Sequence, residues 1–284
     1  MQSGPWFAYR KTFLAGEYTA CLYGRGLVIT YGPPFELKQS TKMNLSAFAQ
    51  TVIDQYPNIP TALTLSDSKP THGGVGASSA ELACLYQYLC DIGLETMSTL
   101  PKQRQWYRQQ AWQGQGLPPS GIDFIAQRHQ GLMWVDCDQN TCQTMDWPFD
   151  DYVWLVIKTN DKLNTHTHLE SIQKKSDFKA LNGLLDPIKG AIESTDFEGF
   201  IQAQSQFDRA LHELGFKTQT HQPYLDAIMK LSDVAYIRGS GAMGQDTWLT
   251  LIKKSTQTET LKAIQAIYPI TSFYTIDASS HDRN

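Results

Sequence analysis

The run Pro70 to Ala80 (PTHGGVGASSA) places Gly73, Gly74 and Gly76 within four residues of one another, between an apolar strand-like segment and a helix-like one. Without a side chain, backbone can approach an anion closely, and the first N–H groups of a following helix then point at it. Ser78 and Ser79 open that helix, where a hydroxyl can cap the first turn or be offered to Mg²⁺. The chemistry this suits is phosphate binding. No Gly-Lys-Ser/Thr follows, so this is not a Walker A loop. No acidic residue stands on a second strand at the Rossmann distance either. An ordinary strand-to-helix connection uses the same residue types, so the loop alone does not specify a ligand.

Three further segments carry groups that such chemistry needs. Pro119 to Asp123 (PSGID) is a turn that delivers a carboxylate to the start of the segment Phe124 to Gln127. Asp123 there is either a helix N-cap or a base for a substrate hydroxyl. Arg238 to Asp246 (RGSGAMGQD) is a long glycine-rich connection between two predicted strands. Arg10 to Tyr18 (RKTFLAGEY) puts cations at the head of an apolar strand and Glu17 after a glycine at its end.

Bulk properties bound the class. The chain has 284 residues, long enough for two lobes sharing a cleft. With 41% hydrophobic and 18% charged residues it reads as a folded protein, not a disordered one. A formal charge of −4 provides no global field for nucleic acid or anionic lipid. No apolar run approaches the roughly 20 residues of a spanning helix, and Met1 to Leu14 lacks the pattern of a signal peptide. The five cysteines (Cys21, Cys84, Cys90, Cys137 and Cys142) are odd in number and scattered, which points to free thiols in the cytoplasm.

The elements that must position these groups follow from periodicity. Strands are expected at Phe7–Leu14, Gly26–Tyr31, Ala62–Leu65, Tyr152–Ile157, Val234–Ile237, Trp248–Ile252 and 271–276, with a hairpin from Leu132 to Met145. The continuous apolar run of Tyr152–Ile157 suits a strand buried on both faces. Helices are expected where Leu45, Phe48, Val52 and Tyr56 recur, with Asn44 as N-cap, and where Leu82, Leu85, Leu89 and Ile92 recur, closed by Gly93. Others are expected at 101–113, along Phe200, Gln204, Phe207, Leu211 and Leu214 with Gly215 as the stop, at Pro223–Leu231 and at Glu259–Ile267. The class is α+β, in two lobes, 1–160 and 161–284. Trp147, Trp154 and Trp248 read as core, and His166 and His168 as a solvated loop.

Taken in order, the four segments resemble those of the GHMP kinases, the superfamily of galactokinase, homoserine kinase, mevalonate kinase and phosphomevalonate kinase. Pro70–Ala80 is similar to that family's Pro-x-x-x-Gly-Leu-Gly-Ser-Ser-Ala loop, with Val75 for Leu and Ala77 for the first Ser. Lys11 and Glu17 match its first motif, Pro119–Asp123 the Pro-Ser-Gly-x-Asp of mevalonate kinases, and Gly239–Thr247 its third glycine loop. Ala15 to Tyr18 (AGEY) leans toward phosphomevalonate kinase. The short span from the phosphate loop to Asp123 leans toward mevalonate kinase. The resemblance implies a ribosomal-protein-S5-domain-2-like N-terminal lobe that binds nucleotide and a ferredoxin-like C-terminal lobe.

It further implies an ATP- and Mg²⁺-dependent phosphotransferase. Asp123 and Lys11 would be catalytic, and Gly73, Gly74, Gly76, Ala77, Ser78 and Ser79 would hold ATP, with Ser78 on the metal. Glu17, Tyr18, Ser120, Ser240, Gly241 and Ala242 would face the acceptor, a small molecule such as phosphomevalonate or mevalonate. Lys69, His72, Arg10 and Arg25 are the nearest candidate cations for a phosphorylated acceptor. A homodimer is the expected assembly, with no nucleic acid or membrane partner. The departures are Trp112 and Gln113, where some members place a magnesium carboxylate, and Met243 and Gln245 in place of glycines. These leave a catalytically impaired nucleotide- or metabolite-binding protein as the alternative.

Overall fold

The strand-like segments assemble into two antiparallel sheets, seen in a computed structural model that describes residues 4–56, 59, 61–67, 75–112, 114, 116–159, 175–217, 219–241, 244–270 and 272–276. The first sheet is built on one long strand, β2 (Arg25–Ser40). Along one edge it pairs with β1 (Trp6–Ala15). Its other edge serves two partners in turn: Arg25–Thr30 pairs with β4 (Gly131–Asp136), and Phe35–Ser40 pairs with β3 (Ala62–Asp67). Pro33 and Pro34 fall between the two ladders, where no N–H is required. Strand β5 (Thr141–Met145) completes the hairpin with β4.

Alternation along these strands splits the apolar side chains between two cores. Phe13, Val28, Met133 and Val135 face the helices that carry the loops, α3 (Ala77–Asp91), α4 (Leu100–Ala111) and α5 (Ile122–Ala126). Leu14, Leu27, Ile29, Leu132 and Trp134 face the other way, into a core shared with the second half of the chain. The short helices α1 (Thr19–Tyr23) and α2 (Ala47–Ile53) lie before and after β2. Asn44 is not the cap of α2. Ser46 is, its Oγ accepting from Ala49 N, while Asn44 makes an isolated bridge to Thr64.

The second sheet runs β7 (Val234–Ser240), β8 (Thr247–Lys253), β6 (Tyr152–Lys158), β9 (Phe273–Ile276). Strand β6 is buried on both faces, as its apolar run implies. Trp154 and Val156 meet Phe200, Phe207 and Leu211. Val153, Leu155 and Ile157 meet Ile228 and Ile264. Helices α6 (Lys175–Gly183) and α7 (Leu185–Glu193) add Phe178, Leu181, Leu185 and Ile188 to the first of these cores, and the partners themselves come from α8 (Phe197–Glu213), α9 (Gln222–Met229) and α10 (Gln257–Ile267). The sheets divide the chain between Met145 and Tyr152, so β6 hydrogen-bonds within the second sheet although it precedes residue 160. Trp147, Trp154 and Trp248 are all core residues. His166 and His168 lie outside the described residues. Among the described residues no helix is long and apolar enough to cross a membrane.

A buried guanidinium ties the two sheets together. Arg238, at 1% side-chain exposure, donates to Glu17 Oε1 at 2.6 Å and to the carbonyls of Phe13 and Leu14 at 2.9 and 3.0 Å. Burial alone would lower its pKa, but the adjacent Glu17 carboxylate together with Tyr236 and Tyr18 outweighs that and raises it. Nearby, Thr12 Oγ1 and Ser240 Oγ are 3.3 Å apart. Breaking a buried pair leaves one charge uncompensated, so Arg238→Met should cost about 3–5 kcal/mol in urea denaturation. Adding Glu17→Gln should return part of that loss. A single-mutant cost below about 1 kcal/mol, the level of a surface pair, would contradict this account.

Candidate functional site

The end of the glycine loop lies directly against β1. Lys11 N donates to Val75 O at 3.1 Å, which places the Lys11 side chain beside Gly76. Gly76, with φ +78°, is the N-cap of α3, a position for which Ser78 and Ser79 had been the candidates. A Cβ on Gly76 would sit 2.8 Å from Lys11 Cγ and 2.9 Å from Gln127 Nε2, so only glycine fits. The first-turn amides of α3, at Ala77, Ser78 and Ser79, have no partner within the helix ladder and carry the positive end of its dipole. Ser78 is exposed at this terminus. Ser79 is buried, its hydroxyl 2.6 Å from Gln127 Oε1.

Lys11 and Asp123 meet. Nζ is 3.5 Å from Oδ2, and each side chain keeps somewhat under a fifth of its surface exposed. The ammonium also lies 4.7 Å from the centre of the Phe13 ring. Asp123 is not the N-cap of α5. Gly121 is, at φ +73°, and Asp123 is the second residue of the helix, its carboxylate near the positive dipole end.

Two arginines one turn apart on α4 hold the turn that delivers Asp123. Arg104 Nε donates to Ser120 O at 2.7 Å, and its Nη2 donates to Ala20 O at 2.6 Å and Cys21 O at 3.1 Å. Arg108 Nε donates to Pro119 O at 2.9 Å and Nη2 to Cys21 O at 2.5 Å. The pair thereby bonds both the turn and the last carbonyls of α1, where Ala20 O also accepts from Gly24 N. Gly121 is needed here as well, because a Cβ would come within 3.0 Å of Arg104 Cγ. Tyr107 stacks on Phe124 at 5.0 Å and fixes α5 from its apolar side.

Glu17 is engaged by Arg238. Tyr18 is buried, stacked on Phe216 at 4.5 Å with its hydroxyl donating to Phe216 O. Ser120 and Ser240 are buried, and Gly241 is exposed with φ +84°. Lys217 pairs with Asp208 close to Arg238, and burial with that neighbouring cation pushes its pKa well down. Gln245, which stands for a glycine, turns its amide toward Thr220 Oγ1 at 3.4 Å. Of the candidate cations, Arg10 pairs with Asp67 and donates to Pro33 O, while Arg25 pairs with Asp136 and Asp186. Lys69, His72, Gly73, Gly74, Gln113, Ala242 and Met243 lie outside the described residues.

Gln127, Arg104, Arg108 and Arg238 carry most of this scaffold, and none is a candidate from sequence. The available signals were spacing only. Arg104 and Arg108 are four apart on a predicted helix just before the Asp123 turn, and Gln127 lies four residues after Asp123, on the same helical face.

No protein-family model matches the chain, and no curated protein sequence is significantly similar to it. Solved structures are similar over nearly its whole length. Streptococcus pneumoniae phosphomevalonate kinase in complex with phosphomevalonate and AMPPNP superposes with a TM-score of 0.72 at 14% identity, covering 96% of this chain and 100% of that one. L. major mevalonate kinase in complex with R-mevalonate gives 0.70 at 13%, covering 96% and 95%. Homoserine kinase from Cytophaga hutchinsonii gives 0.64 at 12%, covering 95% and 93%. With α+β architecture and this coverage, the chain has the fold of the GHMP kinases.

Proposed function

We propose that the protein is an ATP-dependent small-molecule kinase acting on a mevalonate-pathway acceptor, with phosphomevalonate as the preferred candidate. The observation that carries this reading is the Lys11–Asp123 pair, a cation and a carboxylate 3.5 Å apart beside the N-terminus of α3. Phosphoryl transfer needs positioning and charge neutralisation more than covalent chemistry from the protein. A helix terminus and glycine loop at residues 73–79 supply donors to the phosphates. Asp123 accepts the proton of the acceptor hydroxyl as its oxygen bonds to the γ-phosphorus and the bond to ADP breaks. Lys11 neutralises charge on the transferred group.

Magnesium fits this site through its usual mode, which needs few protein ligands because the substrate phosphates and water supply most of its oxygens. The exposed Ser78 hydroxyl at the first turn of α3 is the group that would join them. Bound there, the ion would offset phosphate charge. The similarity to structures of kinases solved with phosphomevalonate, AMPPNP and R-mevalonate supports both the nucleotide and the acceptor class. The AGEY run at Ala15 to Tyr18 favours phosphomevalonate over mevalonate.

Purified protein with ATP and Mg²⁺ should release ADP with phosphomevalonate, and more slowly or not at all with mevalonate or homoserine. Asp123→Ala should lower kcat by about two to four orders of magnitude, the range of a lost general base. Undiminished turnover in that variant would remove Asp123 from the role. Nucleotide binding by calorimetry without ADP release on any acceptor would mark a binding protein instead. Gly76→Ala should weaken ATP binding and turnover together, because its Cβ must displace Lys11 and Gln127. Unchanged kinetics there would mean that the Gly76–Lys11 contact does not matter to the site.

A further inference from the structure

Gln127 is fully buried at the end of α5, and its amide reaches the other two pieces of the site. Nε2 donates to Tyr9 O at 2.8 Å and to Gly76 O at 2.9 Å, and Oε1 accepts from Ser79 Oγ at 2.6 Å. Its main chain adds two more ties. Tyr9 N donates to Gln127 O at 2.7 Å, and Gln127 N donates to Asp123 O at 2.9 Å. The orientation of the amide follows from chemistry: Tyr9 O and Gly76 O are both pure acceptors, so the nitrogen must face them. Tyr9 lies two residues before Lys11 on β1, Gly76 and Ser79 form the start of α3, and Asp123 is one helical turn before Gln127.

We propose that Gln127 is a positioning residue that holds the phosphate-binding turn, Lys11 and Asp123 in register with one another. No other common side chain replaces it. An ionised Glu has no donor for two carbonyls, Asn is a methylene shorter, and Met fills the space without a bond. Catalytic groups tolerate about 0.5 Å of displacement, so an amide that ties two segments to the end of a third decides whether they are in place. Only the effect on turnover rests on the kinase reading; the effect on Lys11 does not.

The test therefore has a ligand-free arm. Native protein is treated with an acetylating reagent, and the rate at Lys11 is read by mass spectrometry relative to the half-exposed Lys38 of the same molecule. Releasing Lys11 from Asp123 and Gly76 in Gln127→Met should raise that ratio about threefold or more, as for a side chain freed from one geometry. Ser79→Ala removes the hydroxyl that bonds Gln127 Oε1 and also lies 3.0 Å from Gly76 O, and Ala suits a helix start. It should raise the ratio in the same direction, so the test survives if Gln127→Met does not fold. Ratios equal to wild type in every folded variant overturn the proposal. In the kinetic arm, Gln127→Met should lower kcat about tenfold or more while the acceptor KM moves less than about threefold, the signature of lost alignment. A stability loss with unchanged kcat and unchanged Lys11 reactivity would make Gln127 a purely structural residue and overturn the proposal. Wild-type protein that turns over no acceptor would count against the kinase reading, and the Lys11 ratio would still decide this one.

Discussion

The absence of a Cβ at Gly76 lets the start of α3 press against the Lys11 side chain, and much of the surrounding architecture serves that contact. It requires β1 and the glycine loop to be joined by a backbone hydrogen bond, from Lys11 N to Val75 O. It then requires α5 to approach from the third side so that Asp123 reaches Lys11. Three segments distant in sequence must converge within a few ångströms, and hydrophobic burial alone does not specify position that finely.

What supplies the specificity is a set of long polar side chains that bond to backbone in place of regular structure. Arg104 and Arg108 take up the carbonyls of α1 and of the turn at Pro119 and Ser120. Arg238 takes up carbonyls at the end of β1, and Gln127 ties β1 to α3. Each charge-assisted bond contributes about 1.5–3 kcal/mol, and a missing partner would leave a buried carbonyl unsatisfied. The arginines thus act on chain geometry.

Much of this architecture was legible in the sequence where the signal is local. The apolar run of β6, the stripe of Phe200, Phe207 and Leu211, and the glycine stop at Gly215 appear where periodicity places them. Errors arose where two local solutions compete. Asn44 and Ser46 are both good caps, and a tertiary bridge to Thr64 took Asn44 away. Glycines rather than Ser78 or Asp123 begin α3 and α5, because close packing by Lys11 and Arg104 excludes a Cβ there. Gln127 was legible only as a position four residues after Asp123. A glutamine in an amphipathic segment carries no mark of the two backbones it will bond, since those contacts span long separations in sequence.

Strand β6 sits between β8 and β9 in the second sheet, yet it is made long before either of them. During synthesis it emerges with both faces apolar and both edges unpaired, and it stays so until Thr247–Lys253 and Phe273–Ile276 follow. Pairing across such separations is slow, because the loop must close before the contacts reward it. The ribosome thus exposes a strand with unpaired edges while the segment up to Thr247 is being made. The second sheet can close only once Phe273–Ile276 has been made, whatever the first sheet has achieved by then.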